Sequence, residues 1–141
     1  MLIDMFPVEV GRRLVDVSAF RPMPGGAPAN VAVAARRLGA SSAFIGKVGD
    51  DAFGQLLIDT LRAEGVETRG MRVDPEARTT LAFIAMPDAT SAEFVFYRNP
   101  GADMMLRADE LDEALLREAR VLHFGSISLI AEPSRSATLR A

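Results

Sequence analysis

An α/β fold with a parallel central sheet and flanking helices is predicted by three features of the sequence. Hydrophobic periodicity switches repeatedly between about 2 and about 3.6 residues, two helical segments are each closed by a glycine, and short apolar runs lie between and beyond them. The chain has 141 residues, 49% hydrophobic and 25% charged, which suffices for one buried core. No internal repeat or low-complexity stretch divides it.

The elements follow in order. Leu2-Ile3-Asp4-Met5-Phe6 stops at Pro7 and suits the tail of a buried strand, although a strand opening at Met1 is short. Val10 to Phe20 alternates loosely and carries charge, and Arg21-Pro22-Met23-Pro24-Gly25-Gly26 predicts a loop. Pro28 fits the first turn of a helix over Ala29 to Leu38, with Val31, Ala34, Ala35 and Leu38 inward and Gly39 as a left-handed cap. Ser42 to Val48 predicts a strand buried on both faces. A second helix carries Phe53, Leu56, Leu57 and Leu61 at helical spacing, with Asp50 or Asp51 at its start and Gly65 at its end.

Thr79 to Met86 and Glu93 to Tyr97 are rich in β-branched and aromatic residues and predict a hairpin around Pro87-Asp88-Ala89-Thr90. Asp109 to Ala119 predicts a short helix with Leu111, Leu115 and Leu116 inward. Val121-Leu122-His123-Phe124-Gly125 predicts another strand, and Pro133 opens a last helix that runs to Ala141. A parallel sheet expects each crossover helix to lead into a strand, so the sequence reads as truncated at its C-terminus.

Composition excludes several classes of function. A net charge of −3 gives no electrostatic case for nucleic acid. No apolar run reaches the roughly 18 residues of a bilayer span, so no membrane role is expected and the chain reads as cytoplasmic. Zero cysteines and one histidine, His123, remove disulfide frameworks, thiol nucleophiles and the common zinc sets, and no metal site is expected.

The chemistry gathers around Gly25-Gly26-Ala27-Pro28-Ala29-Asn30, at a helix N-terminus. Two glycines permit close backbone approach, the first helical turn offers free N–H groups, and Asn30 presents a donor and an acceptor to a polyhydroxylated ligand. A plain loop-to-helix turn with Asn30 as a cap remains the structural alternative. Neither a Gly-x-Gly-x-x-Gly dinucleotide fingerprint nor a Walker loop is present. Asp4 can accept two hydroxyl hydrogen bonds, or it is a solvated strand end. Arg98 beside the apolar Phe96 suits an oxygen-rich ligand, or it is an exposed edge charge. Asp50 and Asp51 read first as helix-start carboxylates, and Lys47 as a snorkelling lysine before a phosphate ligand. His123 reads as a core or edge histidine. Gly125, Ser126, Ser128 and Glu132 follow a strand where a crevice forms in open α/β sheets, although Ser and Glu also cap helices.

Several segments together resemble the pfkB or ribokinase-like carbohydrate kinases, and among them the fructokinases. The glycine loop with Asn30, then Ala32, Gly39 and Gly49, is similar to the N-terminal signature of that family. Gly46-Lys47-Val48-Gly49-Asp50-Asp51, Phe96-Tyr97-Arg98-Asn99-Pro100 and Phe124-Gly125-Ser126-Ile127-Ser128-Leu129 resemble fructokinase segments in the same order. Ala27 stands where ribokinases tend to carry Lys, which disfavours ribose.

The resemblance implies a ribokinase-like fold with a small β lid, and transfer of the ATP γ-phosphoryl group to a sugar hydroxyl with Mg²⁺ offsetting phosphate charge. The sugar is expected to be fructose or a relative such as 2-keto-3-deoxygluconate. It implies that Asp4 holds sugar hydroxyls, Gly25 and Gly26 form the hinge and backbone contact, Asn30 grips the sugar, and Phe96 and Arg98 face it from the lid. Gly125 and Ser126 are weaker candidates. Residues 1–141 are then the N-terminal part of one kinase domain, with lid strands at about 8–22 and 69–98, and a homodimer through the lid is expected.

The family's second signature, an Asp-Thr-x-Gly-Ala-Gly-Asp run that supplies the catalytic base, is absent. No catalytic residue is expected in these 141, and the sugar-binding half alone is expected to be inactive. The alternative is a non-catalytic sugar-binding or dimerising module derived from a kinase.

Overall fold

A computed structural model describes residues 1–88 and 90–141. Strand β1 (Leu2–Pro7) leads to β2 (Phe20–Gly25), helix α1 (Ala27–Arg37), β3 (Gly46–Gly49), α2 (Ala52–Ala63), β4 (Met71–Asp74), β5 (Leu81–Ala85), β6 (Glu93–Tyr97), α3 (Glu113–Glu118) and α4 (Ser134–Arg140). Short 3₁₀ turns lie at Leu14–Asp16, Ala102–Met104, Ala108–Glu110 and Ser126–Leu129.

The strands form two sheets. One is four-stranded in the order β2-β1-β5-β6, with β1 parallel to β5 and the other two pairs antiparallel. The other is the parallel pair β3-β4. The α/β class holds, but the expected parallel sheet is two parallel pairs in separate sheets, and the 69–98 span divides between them. Met71–Asp74 pairs with β3, while β5 and β6 form the expected hairpin. Its connecting turn includes Ala89, which lies outside the described residues.

Four expectations are corrected. Arg21 to Gly25 is strand rather than loop, because Pro22 and Pro24 stand at alternate positions of an outer strand, opposite Met5 and Ile3, and turn their missing N–H away from β1. Residues 8–19 contain no strand, only the turn at Leu14–Asp16. Residues 121–125 also form no strand. They lie exposed, with Val121 84% accessible and His123 on the surface, because no described strand pairs with them. The Ser42–Val48 strand shrinks to Gly46–Gly49, preceded by one bridge between Ala43 and Glu67.

The core is continuous across both sheets. Ile3, Val48, Leu57 and Ile58 form one cluster, and Ala29, Ala32, Phe44, Leu61 and Val66 another, with Met1 and Met71 packed against both. Burying each large aliphatic side chain contributes roughly 1.5–3 kcal/mol. Helix α1 presents Ala29, Ala32 and Val33 inward, not the predicted Val31 and Leu38, and Leu38 is 88% exposed. An alanine-rich helix carries two apolar stripes of equal period, so spacing alone does not choose between them. Helix α2 buries Leu57, Ile58 and Leu61 and leaves Leu56 partly exposed. Gly39 and Gly65 adopt φ of 89° and 73°, as left-handed caps.

Candidate functional site

Side chains of a strand alternate between faces, so the register of the four-stranded sheet decides which residues share a surface. Met23 lies opposite Asp4, Asp4 opposite Ala82, and Ala82 opposite Phe96. These four form one row across one face. Ile3 and Met5 point the other way, into the core. With strands about 4.8 Å apart, Asp4 and Phe96 are separated by about 10 Å across the small, buried Ala82, which is room for a sugar ring. Phe96 is 49% exposed and forms an apolar wall of that notch.

Asp4 is half-buried, and burial raises its carboxyl pKa. Among the described residues no hydrogen bond ends on its carboxylate, so its acceptor sites are open. The carboxylate lies over the backbone of Gly25, where a Cβ would stand 2.0 Å from Asp4 Oδ2. Gly26 follows with φ of 99° and is the N-cap residue of α1, its carbonyl accepting from the Asn30 N–H at 3.0 Å. Asn30 itself is exposed in the first turns of α1. Gly125 comes to the same helix start, since a Cβ there would meet Pro28 Cγ at 2.9 Å. Ser126 is exposed and opens a 3₁₀ turn. Asp4, Gly25, Gly26, Asn30 and Gly125 therefore converge on the N-terminus of α1, while Phe96 and Arg98 approach along the shared sheet face.

Arg98 is not a free charge. Its guanidinium pairs with Asp103, the two side chains being 15% and 13% exposed, and its Cζ stands 5.9 Å from the centre of the Phe96 ring. Thr80, fully buried, donates its hydroxyl to the other Asp103 oxygen. Gly101 makes this closure possible, because a Cβ there would lie 1.9 Å from Thr80 Oγ1 and 2.7 Å from Asp103 Oδ1. The Met1 amino group is buried nearby. Burial lowers its pKa, with Asp103 opposing and Arg98 reinforcing that shift. Sequence reasoning missed Asp103, Thr80 and Gly101. The only signal was a glycine and an acid soon after the Arg98 strand end, and nothing in their spacing tied them to Thr80.

The other candidates have structural partners. Lys47 is 6% exposed and held by Asp74 at 3.0 Å, Glu110 at 2.7 Å and the Met105 carbonyl at 3.2 Å, so it neither snorkels nor faces a phosphate. Burial lowers its pKa, but the bonds to Glu110 and Asp74 outweigh that and raise it overall. Asp51 is the N-cap residue of α2, accepting from Gly54 N–H and Thr79 N–H, each at 2.8 Å. Burial pushes its pKa up, and the Thr79 and Gly54 bonds outweigh it and leave it lowered. Glu132 accepts from Ser136 N–H at 3.1 Å, and the Ser128 carbonyl accepts from the Ser134 hydroxyl.

The scaffold that carries these residues is that of the sugar kinase class of fold. The structure superposes on an uncharacterized sugar kinase from Pyrococcus horikoshii, also solved in complex with ATP, with TM-score 0.92 and 40% identity, over 99% of this chain and 45% of that one. It superposes on a fructokinase from Xylella fastidiosa with TM-score 0.87 and 37% identity, over 97% of this chain and 42% of that one. The sequence is 55% identical over 141 residues to "Probable fructokinase-6, chloroplastic" of Arabidopsis thaliana, covering all of this chain and 37% of that protein. The chain belongs to the pfkB family of carbohydrate kinases, whose pattern matches residues 1–141. It spans less than half the length of these relatives.

Among the described residues no group of three His, Cys, Asp or Glu side chains could hold a metal ion, and no helix is long and apolar enough to cross a membrane. The buried cations Lys47 and Arg98 are both engaged by carboxylates. Neither is free to pair with a phosphate.

Proposed function

We propose that this chain supplies the sugar-binding part of an ATP-dependent fructokinase-like enzyme, which transfers the γ-phosphoryl group of ATP to a sugar hydroxyl, with fructose the preferred acceptor. The observation that carries it is the Asp4 carboxylate, half-buried against Gly25, without a donor among the described residues and separated from Phe96 by the floor of Ala82. A carboxylate in that setting takes up hydroxyl donors, and a ring lying over Ala82 meets the Asn30 amide at the start of α1. Membership of the pfkB family and the fructokinase relatives support the reading.

In this reading Asp4, Gly25, Gly26, Asn30, Phe96 and Arg98 form the sugar site, with Gly125 and Ser126 at its edge. The four-stranded sheet acts as a lid that excludes water from the reacting hydroxyl. Mg²⁺ accompanies ATP to offset phosphate charge, as phosphoryl transfer requires. The exposed apolar residues Phe94, Val95 and Tyr97 of β6 support pairing of two lids in a homodimer. An ATP-consuming sugar kinase suits the cytoplasm, where we place it.

The test is ADP release by the gene product that carries these residues, with ATP, Mg²⁺ and fructose, ribose or 2-keto-3-deoxygluconate. Fructose-dependent release well above that with ribose is expected. Sugar binding without ADP release would replace the kinase with a sugar-binding module, and neither binding nor release would end both readings.

A further inference from the structure

We propose that Asp103 sets the charge class of the sugar by neutralising Arg98, so that the site takes neutral polyols and rejects sugar acids. The inference deepens the sugar kinase reading and rests on it.

Arg98 follows β6 directly and shares the face of Phe96 and Asp4, two residues on from Phe96. A lone guanidinium at that position would be a carboxylate receptor, because its planar fork matches a carboxylate in two parallel hydrogen bonds. Here an internal carboxylate cancels the charge by meeting one arm of the fork, while the buried Arg98 Nε has no partner among the described residues. Asp103 pairs with the Arg98 Nη2, and its second oxygen is occupied by the Thr80 hydroxyl. Gly101 leaves the space that this arrangement fills, and Ala102 fixes the turn through its N–H to the Arg78 carbonyl at 2.8 Å. With Arg98 and Asp103 cancelling, Asp4 is left beside the notch as a carboxylate that no cationic side chain pairs among the described residues. Arg21 lies on the same face, opposite Phe6, but it is exposed and screened by solvent. A sugar carboxylate would meet Asp4 without a free cation to offset the repulsion, whereas a neutral sugar meets only acceptors for its hydroxyls.

The test uses the gene product that carries these residues and compares kcat/KM for fructose with that for 2-keto-3-deoxygluconate. In Asp103→Asn the ratio is expected to fall by about ten- to a hundredfold, chiefly through a lower KM for the sugar acid, as a freed charged hydrogen bond would produce. The same substitution in an Arg98→Gln background is expected to leave the ratio unmoved, which a merely structural role for Asp103 would not produce. Asp103→Glu is expected to retain the preference for fructose. In the unmodified protein, the neutral amide of 2-keto-3-deoxygluconate is expected to outperform the acid itself by about tenfold. An unchanged ratio in Asp103→Asn with fructose turnover intact would overturn the inference and leave the kinase reading standing. If Asp103→Asn does not fold, an amide no better than the acid overturns it. Failure of the unmodified protein to phosphorylate any of the three compounds would remove the kinase reading, and this inference with it.

Discussion

Asp4 and Asp51 make an instructive pair, because each carboxylate presses on a glycine and the two then part company. A Cβ on Gly25 would stand 2.0 Å from Asp4 Oδ2, and one on Gly49 would stand 2.5 Å from Asp51 Oδ2. Around β3 the buried polar groups are paired: Asp51 accepts from Gly54 and Thr79, Thr79 in turn accepts from Gly49 N–H at 3.0 Å, and Lys47 is bound by two acids. On the face of the four-stranded sheet Asp4 has no donor among the described residues, and its pKa moves up where that of Asp51 moves down. Proximity to glycine marks space for a carboxylate. The donors around it decide whether it holds the fold together or remains available to a ligand.

The most forceful way to break this contrast is to open the closed region. Lys47→Met removes the cation from between Asp74 and Glu110 and leaves a buried and a partly buried acid facing each other. A loss of about 3–5 kcal/mol is expected in urea unfolding, since breaking a buried pair strands its partners. A loss below about 1 kcal/mol would place Lys47 with ordinary surface pairs and dissolve the distinction between the two regions.

Exchanging the two acids sharpens it. Asp51→Ala removes the α2 cap and the link to Thr79, and a loss of about 2 kcal/mol is expected, with sugar KM changed little once the protein is folded. Asp4→Asn is expected to do the reverse. The fold keeps its stability while the sugar KM rises by about tenfold or more and ATP affinity stays the same, because a charged acceptor for hydroxyls has been replaced by a weaker one. An equal loss of ATP affinity in Asp4→Asn would show the sugar site to be misplaced.

The difference between these regions also explains what could be read from sequence. The caps and lengths of α1 and α2 were legible because Pro28, Asp51, Gly39 and Gly65 act within a turn or two of their own positions. The hairpin of β5 and β6 was legible from alternation, whereas Asp4, Gly25, Gly26 and Asn30 stand out from residue type and order only as candidates. Strand β2 was not, since Pro22 and Pro24 look like loop residues until β1 is placed on one side only. The 121–125 segment has the composition of a strand, but a strand needs a neighbour, and none of the described strands pairs with it. The Arg98–Asp103–Thr80 and Lys47–Asp74–Glu110 groups join residues as much as 63 positions apart, brought together only by the fold.

The smallest expected effect is a pair of opposite pH dependences. Asp51 has a folded pKa below its ordinary value of 3.8, so the stability it contributes is present above that value and is lost as pH falls through the lowered one. Asp4 has a folded pKa above 3.8, so it favours folding only while protonated, and that contribution is lost as pH rises through the raised value. At neutral pH, Asp51→Asn should therefore be less stable than the unmodified protein, and Asp4→Asn as stable or slightly more so. Both differences should shrink toward zero in acid, from opposite sides, Asp4→Asn converging by the time pH passes below 3.8 and Asp51→Asn only at lower pH. Urea unfolding between neutral pH and about pH 3 reads both slopes, and the slopes are measurable without knowledge of the substrate. Slopes of the same sign would mean that Asp4 has a donor in solution, and the open acceptor on which the sugar site rests would be gone.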